Sequence, residues 1–424
     1  LKNQGKISFD YIMNNGFRMK HYLDELAQTS QRILLLQGPI GHFFADLSAW
    51  LVGQGKTVYK INFNGGDEHF YPSSVENTIA YRGSVSEFYP YLQLFCKQHN
   101  IDAMVCFGDN RKYHKIAKKI SQDEQIPFWV FEEGYFRPDY VTLEKQGVNA
   151  FSPLPRQADF YLEQAEDLPE PAIPLKLAKG FLPMAKVAIA YYTKAYFGRD
   201  NYPKYQHHRI LNLKYYIKLW VTSGIKRACY YLRDRTFARK VNRGKLGDFF
   251  VVPLQVYDDS QVKVHCDFNS VGAFLREVLQ SFAESAPSNL NLVIKHHPMD
   301  RGFIHYDPVI QEFEGRYPHL KGRLFYVHDV PLPVLLRRGK GMVTLNSTSG
   351  ISALLHGMPV ITLGRANYHF EGLTHQGDLA SFWQNPTKPD MQVFEAYRKY
   401  HLNKTMINGS FYNRVILPLH PGEN

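Results

Sequence analysis

The chain predicts an α/β protein of two parallel-sheet halves with a basic helical stretch between them. Three observations carry this. Short apolar runs end in glycine-containing turns and lead into helical spacing, the unit recurs on both sides of the chain's middle, and positive charge gathers in that middle. The length of 424 residues agrees, because one hydrophobic core rarely fills more than roughly 250–300.

The first thirty residues have helical spacing but weak caps. RILLLQ at 32–37 then reads as a strand closed by Gly38-Pro39-Ile40-Gly41, with a helix expected over 42–53 on Phe43, Leu47, Trp50 and Leu51. TVYKINF at 57–63 is a second strand, running into Asn64-Gly65-Gly66-Asp67. Strand, turn, helix, strand is a βαβ unit, so the half is expected to be Rossmann-like. IDAMVCF at 101–107, a basic helix near 111–121 and PFWVFEEG at 127–134 extend it. Residues 153–174 are rich in proline and acids and read as a linker or lid. From Asp248 the rhythm resumes with DFFVVPLQV, a helix near 270–283, LNLVIKHHP, RLFYVHD and GMVTLNSTSGISALLHGMPVITLG. The expected boundaries are a first half at 1–150, a linker and basic aromatic segment at 151–246, a second half at 247–390, and a helical tail at 391–424 packing back on the first half.

The formal net charge is +11, and residues 176–245 hold 17 lysines and arginines against two acids, Asp200 and Asp234. The rest of the chain is therefore net acidic. Aromatic residues such as Tyr191, Tyr215, Tyr216 and Tyr230 are interleaved with this charge. Cations mixed with Tyr and Trp suit an anionic membrane surface, where each cation contributes about 1 kcal/mol. Lys214, Lys218, Trp220, Lys226 and Arg227 are the expected membrane contacts. The plainer reading is a set of solvated helices packed by their own aromatics. Single-stranded nucleic acid is a further alternative, and no nucleic-acid partner is expected. No run of about 18 apolar residues occurs, so no spanning helix is expected. Cys96, Cys106, Cys229 and Cys266 form no CxxC pair, which points to neither a zinc site nor a disulfide framework and fits a reducing cytoplasm.

Four strand ends carry reactive side chains. Glu132-Glu133-Gly134 closes a strand of the first half, where burial can raise a carboxyl toward acid–base duty; a surface pair before a turn is the alternative. Lys295-His296-His297-Pro298 closes a strand of the second half and can meet a phosphate or nucleotide. Asn346-Ser347-Thr348-Ser349-Gly350 joins a strand to a helix, and three hydroxyl residues exceed what a helix cap needs, which favours phosphate. Leu254 to Gln261 places Gln255, Asp258 and Asp259 at another strand end, as a polar turn or as a charged group facing a cleft. Gly38, Gly41, Asn64, Gly65 and Gln255 are expected to line the acceptor side of that cleft. Gly38-Pro39-Ile40-Gly41 is not GxGxxG, so a dinucleotide site is disfavoured. No metal-ligand spacing or DxD pair is present, so no metal and no bound cofactor are expected.

In order, RILLLQGPIG, KINFNGGDEHFYP, FEEGYFRP, VPLQVYDDSQV, KHHP, NSTSGISALLHGMPVITLG and NGSFY resemble the capsule polysaccharide biosynthesis and export proteins of the KpsS/LipB type, over residues 32–412. The resemblance implies a GT-B-like fold, a peripheral protein on the inner face of the cytoplasmic membrane, and retaining β-Kdo transfer from CMP-Kdo to a phosphatidylglycerol-type lipid. Glu133 is similar to the second acid of the family's acidic-acidic-Gly motif, which assists proton transfer. His297-Pro298 is similar to the motif that contacts CMP, with Lys295 beside it, and Ser347, Thr348 and Ser349 to the hydroxyl motif that holds its phosphate. The family's Asp nucleophile would fall on Asp259, with Asp258 competing. The implied partners are the CMP-sugar donor, an anionic glycerophospholipid and other capsule-assembly proteins. CMP-sialic acid, another nucleotide sugar with a polysaccharide acceptor, and a non-catalytic assembly scaffold are the rival readings.

Overall fold

The computed structural model describes residues 21–177, 180–206, 213–257, 262 and 266–418, with side chains of the helix at 213–242 described from residue 222. The first half runs α1 (Tyr22–Thr29), β1 (Arg32–Leu35), α2 (Phe43–Gly53), β2 (Thr57–Asn62), α3 (Gly65–Phe70), β3 (Thr78–Ala80), α4 (Phe88–His99), β4 (Ala103–Phe107), α5 (Lys112–Asp123), β5 (Phe128–Glu133) and β6 (Tyr140–Lys145). Three helices follow: α6 (Ala158–Glu166), α7 (Phe181–Phe197) and α8 (Leu213–Asn242). The second half holds β7 (Phe249–Pro253), α9 (Val271–Ser285), β8 (Asn291–Lys295), α10 (Asp307–Arg316), β9 (Leu324–Val327), α11 (Leu332–Leu336), β10 (Gly341–Thr344), α12 (Ser349–Leu354), β11 (Val360–Thr362) and α13 (Leu379–Gln384). The chain ends through α14 (Met391–Lys404) and β12 (Met406–Asn408).

The first sheet has the order β12-β6-β5-β4-β1-β2-β3, parallel from β1 to β5, with β6 and β12 antiparallel. The second, β11-β10-β7-β8-β9, is parallel throughout. In each half the first strand is flanked by neighbours built in opposite directions: β2 and β4 around β1, β8 and β10 around β7. A ligand crevice opens at the carboxyl ends beside such a reversal.

Parallel strands covered on both faces need apolar residues at successive positions. Ile33 and Leu35 join Val105, Trp129 and Phe131 in one core, while Leu34 joins Met104, Phe128 and Val130 in the opposite one. In the second sheet Phe250 and Val252 face a core with Leu292 and Ile294, and Phe249 and Val251 face another with Val293. That last core crosses between the halves through Tyr135, Tyr161, Phe394, Tyr397 and Tyr400. Helix α14 starts on Asp390, whose carboxylate accepts from the Gln392 and Val393 N–H groups, and lies against α6. β12 then pairs with β6, and Ile407, Phe411 and Val415 enter the first half's core.

The proline- and acid-rich stretch read as a linker therefore contains a packed helix. Its nine residues bury the Tyr161 ring, which stacks on Phe370 across the seam with ring centroids 5.5 Å apart. Helix α7 is also docked. A Cβ on Gly66 would lie 2.7 Å from the Tyr191 ring, and one on Gly65 would lie 2.6 Å from the Lys194 carbonyl oxygen, so the two glycines let α7 approach α3. Among the described residues no helix is long and apolar enough to cross a membrane.

Candidate active site

At the carboxyl end of β5 the pleat sends two neighbouring acids to opposite faces. Glu132 lies toward β4, its Oε2 3.8 Å from a Cβ built on Gly108, and its Oε1 accepts from the Glu133 N–H at 3.0 Å. Burial, with Glu133 and Asp109 adding to it, pushes the Glu132 carboxyl up to about 7, although the Glu133 N–H and Arg137 pull the other way. Glu133 faces the chain's tail, where the Tyr412 hydroxyl donates to it; that phenol is raised far above its ordinary value, first by burial and then by Glu133. Gly134 makes the sharp exit possible, since a Cβ there would meet the Tyr140 carbonyl oxygen at 2.1 Å.

Across from these acids, β8 ends in Lys295. Burial and the nearby Arg301 bring its ammonium down to about 8, opposed by Asp329 and Asp234. His297 starts a short turn at 298–300, its Nδ1 accepting from the Met299 N–H at 3.2 Å and Pro298 occupying the first position. Burial, then Lys295, His296, Arg137 and Arg301, hold His297 down at about 4. Arg137 thus acts on Glu132 and Tyr412 in one half and on His297 in the other, while its Nε donates to the Gly134 carbonyl at 3.2 Å. Arg137 is thus a charge that both strand ends feel.

The turn after β10 completes the second half. Ser349 donates its N–H to the Ser347 Oγ at 3.2 Å, the two hydroxyls lie 3.1 Å apart, and Thr348 precedes α12 without capping it through its side chain. All three are half-buried. The Tyr368 hydroxyl donates to the Ser347 carbonyl at 2.5 Å and fills the space over Gly350, where a Cβ would lie 2.3 Å from it. The hydroxyls are thereby held on a rigid turn.

Gln255, read as lining the acceptor side, lies elsewhere. It follows β7, is buried, and donates to the Asn346 Oδ1 at 3.1 Å, which sets it beside the Ser347 turn in the second half. Its Oε1 is buried with no partner. Asn64 and Gly65 also depart from that reading. Asn64 accepts from the Gly66 and Asp67 N–H groups and donates to the Tyr191 hydroxyl at 2.8 Å, and Gly65 meets α7, so both are spent on docking that helix. The Gly38 carbonyl accepts from Arg111 at 3.2 Å, and Gly41, at φ +125°, sits under the Phe411 carbonyl oxygen at 3.1 Å, so this turn packs against α5's leading residue and the tail. Packing of α7 and the C-terminal tail onto these turns leaves a cavity of only about 20 Å³ among Gly38, Gly41, Gly66, Asp67 and Tyr191.

Asp258 and Asp259 lie outside the described residues, as do the side chains of Lys214, Lys218 and Trp220. The segment leading to the two aspartates is anchored, since the Tyr257 N–H donates to Asp300 Oδ2 at 2.8 Å. Lys226 is half-buried and Arg227 exposed on α8. Sequence reasoning missed Glu132 as the shifted acid, Arg137, Arg301 and Tyr412. Arg137 and Tyr412 left a signal within FEEGYFRP and NGSFY, and Glu132 within the acid pair itself, whereas Arg301 left none. A cavity of about 470 Å³ opens at the opposite, amino-terminal edge of the second sheet, among Leu290, Gly339, Lys340 and Met358, away from all these groups.

The family model described as a capsule polysaccharide biosynthesis protein matches residues 102–412. The chain belongs to that family. The capsule polysaccharide modification protein LipB of Neisseria meningitidis serogroup A is 55% identical over 402 residues, covering 94% of this chain and 96% of its own. The capsule polysaccharide export protein KpsS of Escherichia coli is 40% identical over 384 residues, covering 91% and 97%. Among solved structures, the beta Kdo 2,7 transferase of Thermosulfurimonas dismutans KpsC aligns over 86% of this chain and 88% of its own at 15% identity, with a TM-score of 0.40.

Proposed function

We propose that this capsule protein is a metal-independent glycosyltransferase of GT-B type that moves Kdo from CMP-Kdo, with retention, to a phosphatidylglycerol-type lipid at the inner face of the membrane. The observation that carries the reading is the division of chemistry across one cleft. A carboxyl pair ends β5, and a basic, hydroxyl-lined set ends β8 and β10. Such a cleft can hold a phosphate on one side and take a proton on the other.

In the proposed sequence CMP lies on the second half, with its phosphate against Ser347–Ser349 and its ribose and base near His297 and Gln255. The bond from the sugar's anomeric carbon to the phosphate oxygen breaks, CMP leaves with the electron pair, and Asp259 (or Asp258) forms an ester to that carbon. An acceptor hydroxyl then attacks the same carbon, Glu133 takes its proton, and the aspartate leaves as carboxylate. Two inversions give retention. The choice of cytidine and of Kdo rests on the sequence resemblance.

Membrane docking is the second part of the proposal. The outward side of α7 carries Leu182, Lys186, Ile189 and Phe197, all exposed, and α8 exposes Ile225 and Leu232. Apolar residues beside cations suit an anionic interface.

The test is mass spectrometry of phosphatidylglycerol, in vesicles and as a short-chain soluble form, after incubation with the protein and CMP-Kdo. Addition of Kdo to both is expected, with Leu182→Asn/Ile189→Asn lowering only the vesicle reaction. Absence of any Kdo-lipid while CMP-Kdo is hydrolysed or bound would remove the lipid acceptor from the reading.

A further inference from the structure

The second half holds more positive charge at its crevice than the Ser347–Ser349 turn uses. Lys295 ends β8 with Pro253 of β7 on one side and Val327 of the edge strand β9 on the other, at the sheet's carboxyl edge. Arg301 follows within the same loop. Its side chain is only 9% exposed, one terminal nitrogen is held by Asp329, and its Nε is buried with no partner.

Helix α8 closes the far side of this spot. Arg227, Tyr230 and Asp234 fall at i, i+3 and i+7, hence on one face. Tyr230 stacks on His328 with ring centroids 3.8 Å apart, and Asp234 accepts from the His328 and Asp329 N–H groups at 2.6 and 2.8 Å. That clamp sets Arg227 on the side of α8 toward this loop, where the Arg301 guanidinium is lowered first by burial, opposed by Asp329, and lowered further by Arg227. Arg137 reaches in from the first half, beside His297.

The nearby acids are already engaged. Asp329 holds Arg301, and Asp234 holds Arg233 at 3.0 Å as well as two amides. Partly buried Lys295 and Arg301 stand beside the exposed Arg227 and Arg137, and an anion offsets like charges gathered in this way. An arginine with a free buried N–H donor is suited to an oxyanion.

The geometry points to a second anion seat, formed by Lys295, Arg301, Arg227 and Arg137, that takes the phosphodiester of the acceptor. Both CMP-Kdo and a glycerophospholipid carry a phosphodiester, so placement decides between them. The seat lies between Glu133's neighbour Arg137 and the helix that exposes Ile225 and Leu232. An amphiphile with its phosphodiester close to the reacting hydroxyl fits that path. This rests on the transferase reading given above, and the experiment separates the two.

The probe is glycerophosphoglycerol, a soluble phosphodiester without acyl chains, titrated by ³¹P NMR into the full chain saturated with CMP. It is expected to bind with CMP still in place. Arg301→Met is expected to weaken it about 10-fold or more, as loss of a charge-assisted contact does, while CMP affinity changes less than about 3-fold. Should Arg301→Met melt early because Asp329 is left unpaired, Arg137→Gln on the exposed side serves instead, with a weakening of about 3-fold or more. Displacement of the probe by CMP would overturn the seat, because the cations would then serve the donor's phosphodiester. Equal binding in all variants would overturn it too. If the probe binds as described but CMP-Kdo is never consumed, the seat stands and the transferase reading falls. If Kdo reaches the lipid with an unchanged acceptor KM in Arg301→Met, the transferase reading stands and the seat falls.

Discussion

The carboxyl ends of the two sheets share an architecture and differ in chemistry. In the second half the polar turns flank β7, where strand order reverses, whereas in the first half the acids end β5, two strands from β1. The first half gathers carboxylates there, and burial lifts Glu132 from the ordinary carboxyl range to about 7. The second gathers bases, and burial lowers Lys295 to about 8 and His296 and His297 to about 4. One fold plan thus yields two opposite environments: a place where a proton can be taken near neutral pH, and a place where neutral imidazoles and cations can meet an anion. Arg137 lies between them and influences both.

The largest expected effect breaks the acid side alone. Glu133→Gln should lower Kdo transfer by about 100- to 10,000-fold, the range for a lost general base, without changing CMP affinity. Glu132→Gln, measured in parallel, sharpens the assignment. If it costs more than Glu133→Gln, the base is the residue held near pH 7 and Glu133 positions it.

Breaking the other side should show in binding. Ser347→Ala and His297→Ala are each expected to weaken CMP by about 1–3 kcal/mol in calorimetry, the scale of one lost hydrogen bond to a charged group. Unchanged affinity in Ser347→Ala would mean that the phosphate rests elsewhere.

A smaller effect follows from the opposed pKa shifts, now read as stability. Glu144, fully buried in β6 with Tyr135 and Ser152 as polar neighbours, is raised from 4.5 to about 7, first by burial. Its contribution to stability is full below about pH 4.5 and is lost as pH rises through about 7. Glu144→Gln should therefore gain on the wild type between about pH 5 and pH 8, by about 1–3 kcal/mol, in thermal melts at fixed ionic strength. His296 and His297 run the other way, with stability present above about 6.5 and lost as pH falls through about 4. A wild-type melting point that climbs steadily from pH 5 to pH 8, with no gain for Glu144→Gln, would contradict a neutral buried Glu144.

Much of this contrast was legible in the sequence because it sits at strand ends. FWVFEEG, LNLVIKHHP and MVTLNSTSG each show a buried run that stops at polar residues, and the structure puts those residues at the carboxyl edges of the sheets. What composition concealed were long-range fillings. Asn64 and Gly65 read as open turn residues, yet α7 arrives about 125 positions later to cover them, and nothing local announces it. The helix at 158–166 was hidden by its own acids and by the prolines on either side of it, since its single buried ring, Tyr161, is matched by partners from Phe370 to Tyr400. Tyr412 reaches Glu133 only because β12 adds to the first sheet. Gln255 was read as acceptor-side because both its strand and β10 could be named but their pairing, which sets it beside Asn346, could not.

The most direct test of the divided cleft is hydrogen exchange of the full chain with and without CMP. The account predicts added protection at amides 295–299 and 345–351, and none at 107–111 or 130–134. Protection appearing first at the β4 and β5 ends, with the β8 and β10 turns unchanged, would contradict it.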